Sequence, residues 1–91
     1  MLEIKFTNQM KRDFRRQVKR GKNPSLLEGV LDSLAKRIPL AVRYKDHELT
    51  GDWSGYRECH IENDWLLIYT INEKELILVA TRTGSHADFG W

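Results

Sequence analysis

The sequence lacks the features that mark membrane and secreted proteins. Its one cysteine, Cys59, cannot form an internal disulfide, which fits a reducing cytoplasm. No apolar run approaches the roughly 20 residues that a membrane-spanning helix needs. Residues 1–6 alternate apolar and charged side chains and lack the continuous apolar segment of a signal peptide. These absences favour a cytoplasmic protein.

The motifs of several common enzyme classes are also missing. The sequence has no Walker-type glycine loop, no Gly-x-Ser-x-Gly motif and no pair of cysteines for zinc. The three histidines, His47, His60 and His86, are far apart in the sequence, which argues against a preformed zinc site. We therefore expect a chemistry that uses neither a metal nor another cofactor.

The composition predicts one charged domain with an uneven distribution of charge. A chain of 91 residues, 41% hydrophobic and 31% charged, can build a single modest core spanning residues 1–91. Residues 1–45 carry a balance of +8, from 12 basic and 4 acidic side chains, whereas residues 46–91 carry −6, from 3 and 9. The densest basic run, Lys11–Lys22, contains one acid, Asp13. Such a run is either a solvated helix face or a surface that attracts phosphates or an acidic partner.

The first half of the chain predicts a strand followed by two helices. Residues 2–6 alternate at period two, which is typical of a short half-buried strand. Thr7 or Asn8 can cap a helix that ends at Gly21. Its apolar stripe consists of Met10, Phe14 and Val18. Asn23-Pro24 starts a second, strongly amphipathic helix, which extends to Ile38 and ends before Pro39. The short linker between the helices predicts an antiparallel pair.

The second half predicts a long loop and a three-stranded antiparallel meander. The loop, Pro39–Gly55, is longer than compact domains usually have between elements, which indicates a functional segment. The strands are Tyr56–Ile61, Trp65–Ile71 and Leu76–Thr83. The resulting fold is α+β: one curved sheet, joined by the N-terminal strand, with the helices on one face and the other face free.

Alternation along the strands predicts which side chains converge on the free face. If Cys59 and Ile61 face the helices, Glu58 and His60 face the opposite side. The simplest hairpin registers place His60 opposite Trp65 and Trp65 opposite Arg82, in a row across three strands. A slip of one residue in either turn would flip a whole strand.

A cluster of this kind suits metal-free cleavage of RNA. One group takes the proton of the ribose 2′-OH, a second protonates the leaving oxygen, and a cation stabilises the charge on the phosphate. Histidine suits the proton transfers, arginine suits the phosphate, and an aromatic face such as Trp65 or Phe89 suits an unstacked base. The alternatives are ordinary: surface histidines, tryptophans that pack in the core, and Arg82 paired with Glu58 or Asp64.

Four segments make the chain resemble the YafQ-like branch of the RelE/ParE superfamily of type II toxins. They are YKDHELTG (44–51), WSGYRECHI (53–61), NDWLLIY (63–69) and TRTGSH (81–86), in this order and over about half of the chain. The helical half matches only in pattern. The C-terminal residues 88–91, Asp-Phe-Gly-Trp, depart from the more apolar tail of the family.

The resemblance implies a ribosome-dependent mRNA endonuclease (an mRNA interferase) that a cognate antitoxin holds inactive. The site it implies consists of His47, His60, Asp64, Arg82 and His86 for catalysis, with Trp65 and Phe89 to position bases. His86 would do general acid–base work, and His47 or His60, oriented by Asp64, would be the complementary group. The basic helix would dock ribosomal RNA through Lys11, Arg12, Arg15, Arg16, Lys19 and Arg20.

Two other functions share this scaffold in principle, because a fold does not decide a function. A ParE-like inhibitor of gyrase would need neither the histidines nor Asp64. A non-catalytic binding module would depend on the basic helix, at Arg15 and Arg16, and not on His60.

Overall fold

A five-stranded sheet carries two helices in the computed structural model, which describes residues 1–91. The elements in chain order are β1 (Glu3–Phe6), α1 (Asn8–Lys19), α2 (Pro24–Ala35), β2 (His47–Glu48), β3 (Arg57–Glu62), β4 (Trp65–Asn72) and β5 (Ile77–Gly84). The strand order is β1-β5-β4-β3-β2, with β1 parallel to β5 and the other pairs antiparallel. The α+β class and the meander are confirmed, and the sheet has a fifth strand, β2, that was not predicted.

Strand β2 lies inside the segment that was predicted to be a loop. Its two residues pair with the start of β3, His47 opposite Glu58 and Glu48 opposite Arg57. The preceding residue, Asp46, anchors the segment, because its Oδ1 accepts hydrogen bonds from the Tyr69 hydroxyl at 2.6 Å and from Arg57 Nε at 3.3 Å. A strand of two residues shows no alternation in a sequence, so hydrophobic periodicity could not reveal it.

Helix α1 begins where predicted but buries a different stripe. The Thr7 hydroxyl caps it by accepting from the Met10 N–H at 2.9 Å. Met10 is buried, yet Val18 is 41% exposed, and the polar residues Asp13 and Gln17 are buried in its place. The polar residues are buried because α1 packs on β5, and Asp13 accepts a hydrogen bond from a backbone N–H of that strand. A polar strand edge selects polar side chains on the helix that covers it.

Helix α2 supplies most of the helical contribution to the core. Asn23 caps it by accepting from the Ser25 N–H, and its five buried residues are Leu27, Val30, Leu31, Leu34 and Ala35. The helix ends at Ala35, three residues before the predicted end, because Arg37 adopts a left-handed φ of 58°. The Ile38 N–H then bonds back to the Ser33 carbonyl, as in a Schellman motif. No helix of the chain is long and apolar enough to cross a membrane.

The strand registers differ from the predicted ones, because each turn lies one residue later than predicted and each hairpin also contains a bulge. In the first hairpin Glu62 pairs with Trp65, and a shift at Ile61 leaves His60 opposite Leu66. In the second hairpin a similar shift places Arg82 opposite Ile68. The predicted row of His60, Trp65 and Arg82 was therefore wrong. His60 and Arg82 do share a face of the sheet with Leu66 and Ile68, whereas Trp65 points to the opposite face.

Trp65 belongs to the core, which corrects its expected role as a stacking platform for a base. It is 0% exposed and packs in the same cluster as Cys59 and Ile61, which face the helices as predicted. Its Nε1 donates to the Thr83 hydroxyl at 2.9 Å, and that hydroxyl donates to the Leu66 carbonyl at 2.6 Å. The indole is therefore a buried, hydrogen-bonded structural residue with no face open to a ligand.

The second face of the sheet is not free either. Leu66 and Ile68 are completely buried, although neither belongs to the main hydrophobic cluster. Chain outside the sheet must therefore cover the centre of this face. The segment before β3 and the C-terminal segment bring aromatic rings and two of the histidines to it, as described below.

Replacing Trp65 should test its structural role. We expect Trp65→Phe to lower the free energy of unfolding by about 1–3 kcal/mol, because it removes buried volume and leaves the Thr83 hydroxyl without its donor. Urea denaturation measures this change. The control is Trp91→Phe, at a residue that is 48% exposed, where the expected change is within about 0.5 kcal/mol. Equal losses in the two variants would contradict the burial of Trp65.

Candidate active site

Glu58 and His60 lie two residues apart on β3 and face the same side of the sheet. Glu58 is only 5% exposed, and its Oε1 lies 3.4 Å from His60 Nε2. The second carboxylate oxygen, Oε2, is buried without any hydrogen-bond partner. Glu58 was absent from the predicted site, although alternation along the strand had already placed it beside His60.

His47 reaches the same carboxylate from β2. Its backbone pairs with Glu58, and its Nε2 lies 3.8 Å from Glu58 Oε1. Its other ring nitrogen, Nδ1, lies 2.6 Å from the Lys45 carbonyl oxygen. A carbonyl oxygen only accepts hydrogen bonds, so Nδ1 carries the hydrogen in this contact. The imidazole is about half exposed and is held between a carbonyl and a carboxylate.

His86 follows β5 and is held by the turn between β3 and β4. Asp64 Oδ1 accepts from the His86 backbone N–H at 2.8 Å and lies 2.6 Å from His86 Nδ1. The hydrogen bond from the His86 backbone, followed by that from its ring, holds the pKa of Asp64 below its usual value. Asp64 therefore orients His86, whereas the sequence analysis had assigned it to His47 or His60. The His60 and His86 rings are 5.6 Å apart, edge to face.

These contacts form one continuous row along the second face of the sheet. The row consists of His47, Glu58, His60, His86 and Asp64, in that spatial order. Three histidines that are distant in the sequence meet because β2 pairs with β3 and because the hairpin turn contacts the segment after β5. The arrangement offers several proton donors and acceptors within a short distance, each imidazole next to a carboxylate or another imidazole.

Arg82 is held by a buried carboxylate on α1, and not by Glu58 or Asp64. Its Nε and Nη2 donate to the two oxygens of Asp13 at 3.0 and 3.1 Å. Gln9 Nε2 and the Thr83 backbone N–H donate to the same carboxylate at 2.8 and 3.3 Å. This two-point pairing fixes the guanidinium plane and leaves Nη1 outside the pair.

The ionisation of Asp13 follows from these donors. Asp13 is 2% exposed, and burial alone, the largest single effect, would raise its pKa. The hydrogen bonds from Arg82, Gln9 and Thr83 act together in the opposite direction and leave the pKa below its usual value. Asp13 is therefore a buried anion whose charge is compensated by Arg82.

Aromatic rings line the other side of the site. The guanidinium of Arg82 lies 5.1 Å from the centre of the Phe89 ring, a cation–π contact. Three further pairs of rings continue the row. Their ring centres are 5.3 Å apart for Phe89 and Trp91, 6.4 Å for Trp91 and Trp53, and 5.5 Å for Trp53 and Tyr56. Phe89 and Arg82, both members of the predicted site, are thus in contact. Trp91, in the part of the tail that departs from the family pattern, extends this aromatic row.

The C-terminal segment is attached to the basic helix through Asp88. Arg20 donates to both of its oxygens at 2.7 and 3.1 Å, and Arg16 lies at 4.0 Å. The hydrogen bond from Arg20 is the main reason that the pKa of Asp88 lies far below its usual value, and the Ser85 backbone N–H acts in the same direction. Arg16 and Arg20, predicted to contact RNA, therefore also hold the segment that carries His86.

Two acids were missing from the predicted site, and each had a signal in the sequence. Glu58 shares the period-two face of His60, and Asp13 is the one acid in the basic run. Alternation along the strand could have added Glu58 to the predicted site. Asp13 stood out as an acid among basic residues, but its partner lies 69 positions away, and no local pattern connects residues at such a distance.

Comparisons with known proteins agree with the fold. Residues 2–90 match the family described as "Bacterial toxin of type II toxin-antitoxin system, YafQ". The chain is 40% identical over 86 residues to the mRNA interferase toxin YafQ of Escherichia coli K12. This alignment covers 93% of this chain and 91% of the relative.

Solved structures show the same architecture. A metal-bound toxin from Helicobacter pylori superposes with a TM-score of 0.91 at 41% identity, covering 97% of this chain and 98% of that chain. The E. coli DinJ–YafQ complex contains a chain that matches with a TM-score of 0.89 at 35% identity, covering all of both chains. The similarity therefore extends over the whole chain in sequence and in structure.

Removing the charge of Asp13 should destabilise the protein. We expect Asp13→Asn to cost about 2 kcal/mol of unfolding free energy at neutral pH, because Arg82 loses its compensating anion. The pKa of Asp13 is lower in the folded protein than in the unfolded chain, where it is about 3.9. Asp13 therefore makes its full contribution to the unfolding free energy above this unfolded value, and the contribution is lost as the pH falls through the lower, folded pKa. Urea denaturation at pH 7 and at about pH 3 should show the difference from the parent shrinking in acid.

The matched control is Asp32→Asn, at an exposed acid that pairs with Lys36 across one helical turn. It should change the unfolding free energy by no more than about 0.5 kcal/mol. A loss at Asp13 no larger than that at Asp32, or one that grows in acid, would contradict the assigned ion pair.

Proposed function

The chain belongs to the YafQ family of toxins from bacterial type II toxin–antitoxin systems, and from this we propose that it is an mRNA interferase that cuts messenger RNA on the ribosome. The observation that carries the proposal is the row of His47, His60 and His86, in which Glu58 lies between the first two and Asp64 lies next to the last. This arrangement contains the groups that metal-free cleavage of RNA requires.

The proposed reaction is an attack of the ribose 2′-oxygen on the adjacent phosphorus. A bond forms between O2′ and phosphorus and the bond from phosphorus to O5′ breaks, which leaves a 2′,3′-cyclic phosphate and a 5′-hydroxyl. One side chain accepts the proton of the 2′-OH, and a second donates a proton to the leaving O5′. The atoms balance without water, metal or cofactor in this step.

His86 is proposed as one of the two proton-transfer groups. Its Nδ1 is held by Asp64, which leaves Nε2 available for proton transfer. An aspartate that fixes the tautomer and orientation of a histidine serves the same purpose in other acid–base sites. His47 or His60 supplies the complementary transfer, because the reaction needs one acceptor and one donor.

Arg82 is proposed to stabilise the charge that develops on the phosphate. Asp13 holds its guanidinium through Nε and Nη2, so that the group is oriented before substrate arrives. Phe89, half-buried beside Arg82, offers a ring to a base of the substrate. Trp65 is left out of this role because it is completely buried.

The basic helix α1 is proposed as the contact with ribosomal RNA. Lys11, Arg15 and Lys19 are exposed and form no ion pair within the chain, so their charge is available to phosphates. Arg12 is exposed beside Gln9, whereas Arg16 and Arg20 also hold Asp88. The ribosome would hold the message in position for attack, which supplies much of the orientation that catalysis needs.

A cognate antitoxin is the proposed regulatory partner. The matched E. coli toxin is found in a complex with the DinJ antitoxin. An acidic antitoxin segment would be attracted to the basic half of this chain, where residues 1–45 carry a balance of +8, from 12 basic and 4 acidic side chains. Neutralisation by complex formation then follows from coverage of the surface that contacts RNA.

Induction in bacteria tests the proposed catalytic residues. We expect His86→Gln and Arg82→Lys to relieve growth arrest, because the first removes a proton-transfer group and the second loses the planar two-point donor. Growth curves after induction measure the effect, with protein levels checked in each culture. The control Lys74→Ala, in an exposed turn, should remain as toxic as the parent. Undiminished toxicity in both site variants would instead favour a ParE-like mechanism or a binding module.

Mapping RNA 5′ ends tests the dependence on ribosomes. After induction we expect cuts inside translated reading frames, in a fixed phase with respect to codons, because the ribosome presents one codon at a time. Purified protein should cut the same message in a translation extract and leave it intact when ribosomes are omitted. Equal cutting with and without ribosomes would contradict this part of the proposal.

A further inference from the structure

The outer edge of β3 is covered by a strand along only part of its length. β2 pairs with Arg57 and Glu58, and the rest of β3 has no strand on that side. The short helical turn Val42–Tyr44 packs there instead. A cavity of ≈ 280 Å³ remains between this turn, the start of α2 and the end of β3. The walls of this edge pocket include Leu26, Arg43, Tyr44, Lys45, His60 and Glu62.

The charge around the edge pocket is positive. Arg43 and Lys45 are exposed, and neither has an acidic side chain within ion-pair distance. The acid in the wall, Glu62, lies 3.5 Å from Lys22 Nζ, which compensates its charge. Two cations without an acidic partner therefore line a cavity that reaches a histidine of the candidate site, His60.

Local contacts hold the segment of these two cations without neutralising them. The Arg43 guanidinium lies 4.9 Å from the centre of the Tyr44 ring, and its Nη2 donates to the Tyr44 hydroxyl at 3.0 Å. Lys45 has a left-handed φ of 49°, which glycine adopts with less strain, so the backbone does not account for a lysine here. Its carbonyl oxygen lies 2.6 Å from His47 Nδ1. One short segment thus carries both cations and a histidine of the site.

This arrangement suits a phosphate of an RNA backbone. Arginine and lysine side chains that contact phosphates fix the register of a nucleic acid on a protein. RNA carries one phosphate per nucleotide, so a strand with its scissile phosphate at the histidine row places the next phosphate one nucleotide away. The edge pocket adjoins the row at His60 and offers the charge that such a phosphate requires. An acidic protein segment would meet the same charge, but the contact with His60 favours the substrate.

We propose that the edge pocket binds the RNA phosphate next to the scissile one, through Arg43 and Lys45. The word scissile rests on the proposed function, in which the histidine row cuts RNA. Binding of a phosphate by Arg43 and Lys45 does not depend on cleavage, and it is measured on the free protein with RNA that cannot be cut.

A titration followed by nuclear magnetic resonance tests the binding. The probe is a single-stranded RNA tetranucleotide with 2′-O-methyl riboses, in which the attacking hydroxyl is blocked. It should shift the backbone signals of Tyr44 and Lys45 in the parent. We expect the double variant Arg43→Gln/Lys45→Gln to bind about tenfold more weakly, as for the loss of a hydrogen bond to a charged group. The slope of log Kd against log salt concentration should fall by about 0.7, the value for one phosphate contact to a single strand.

The matched control is Lys5→Gln/Lys74→Gln, which removes the same charge from two exposed lysines outside the edge pocket. Its Kd should stay within about twofold of the parent, because the loss of net charge alone has a small effect at a distance. Equal weakening in the two double variants, or a parent that does not bind the tetranucleotide, would overturn the proposal.

Uncharged methylphosphonates identify the phosphate. Each phosphate of the probe is replaced in turn, and one replacement should weaken binding to the parent about tenfold. The same replacement should change the Kd of Arg43→Gln/Lys45→Gln by less than about twofold, because the contact is already absent. Additive losses at every position would show that Arg43 and Lys45 serve another acidic partner, such as an antitoxin segment, and would overturn the proposal.

Kinetics with programmed ribosomes separate this binding role from the chemistry. We expect Arg43→Gln/Lys45→Gln to raise the KM about tenfold and to leave kcat within about twofold, because the contact is made equally in the bound and transition states. A lower kcat with an unchanged KM would contradict a binding role. Thermal melting verifies that both double variants are folded.

Failure of the proposed function and failure of the phosphate contact give different results. If the parent does not cut RNA but the methylphosphonate at one position loses its effect in Arg43→Gln/Lys45→Gln, the function fails and the phosphate contact stands. If the parent cuts RNA and this variant binds and cuts like the lysine control, the contact is overturned and the function stands.

Discussion

The ion pair between the buried Asp13 and the partly buried Arg82 connects more of the fold than any other polar contact of the site. It joins α1 to the part of β5 that β1 does not cover, and the same carboxylate accepts the Thr83 backbone N–H at that uncovered edge. One acid thus protects a strand edge, fixes the packing side of α1 and orients the arginine of the site. The buried face of the helix accordingly includes Asp13 and Gln17 beside Met10, and it leaves the predicted Val18 exposed.

Carboxylates also lie beside the histidines of the candidate site, as Asp13 lies beside Arg82. Asp64 holds His86, and Glu58 lies against His47 and His60, so each imidazole has an acidic neighbour that limits its orientations. Hydrogen bonds and ion contacts also fix the segments that carry these residues: Asp46 anchors β2 to the sheet, and Asp88 anchors the C-terminal turn to α1. A small domain with one modest core therefore orders its site mainly through carboxylates.

The same contacts connect the two surfaces that the proposed function requires. Arg16 and Arg20 belong to the basic helix, yet they also hold Asp88, two residues from His86. The negative charge of an RNA phosphate or of an acidic antitoxin segment bound near these arginines would compete with Asp88 for them. The basic helix, which is the proposed partner surface, and the segment that carries His86 are thus joined through Asp88.

Local patterns determined the α+β class, the two helices and the meander, because period and capping are properties of neighbouring residues. The three histidines and Arg82 could also be read from short segments that resemble a family, whereas Phe89 lies outside these segments. Only the tertiary structure decided that Trp65 is a core residue, that Asp13 is the partner of Arg82, and that Glu58 lies between two histidines. The reason is physical: register depends on bulges at single residues, and ion pairs across 69 positions depend on packing, so neither leaves a periodic trace in the sequence.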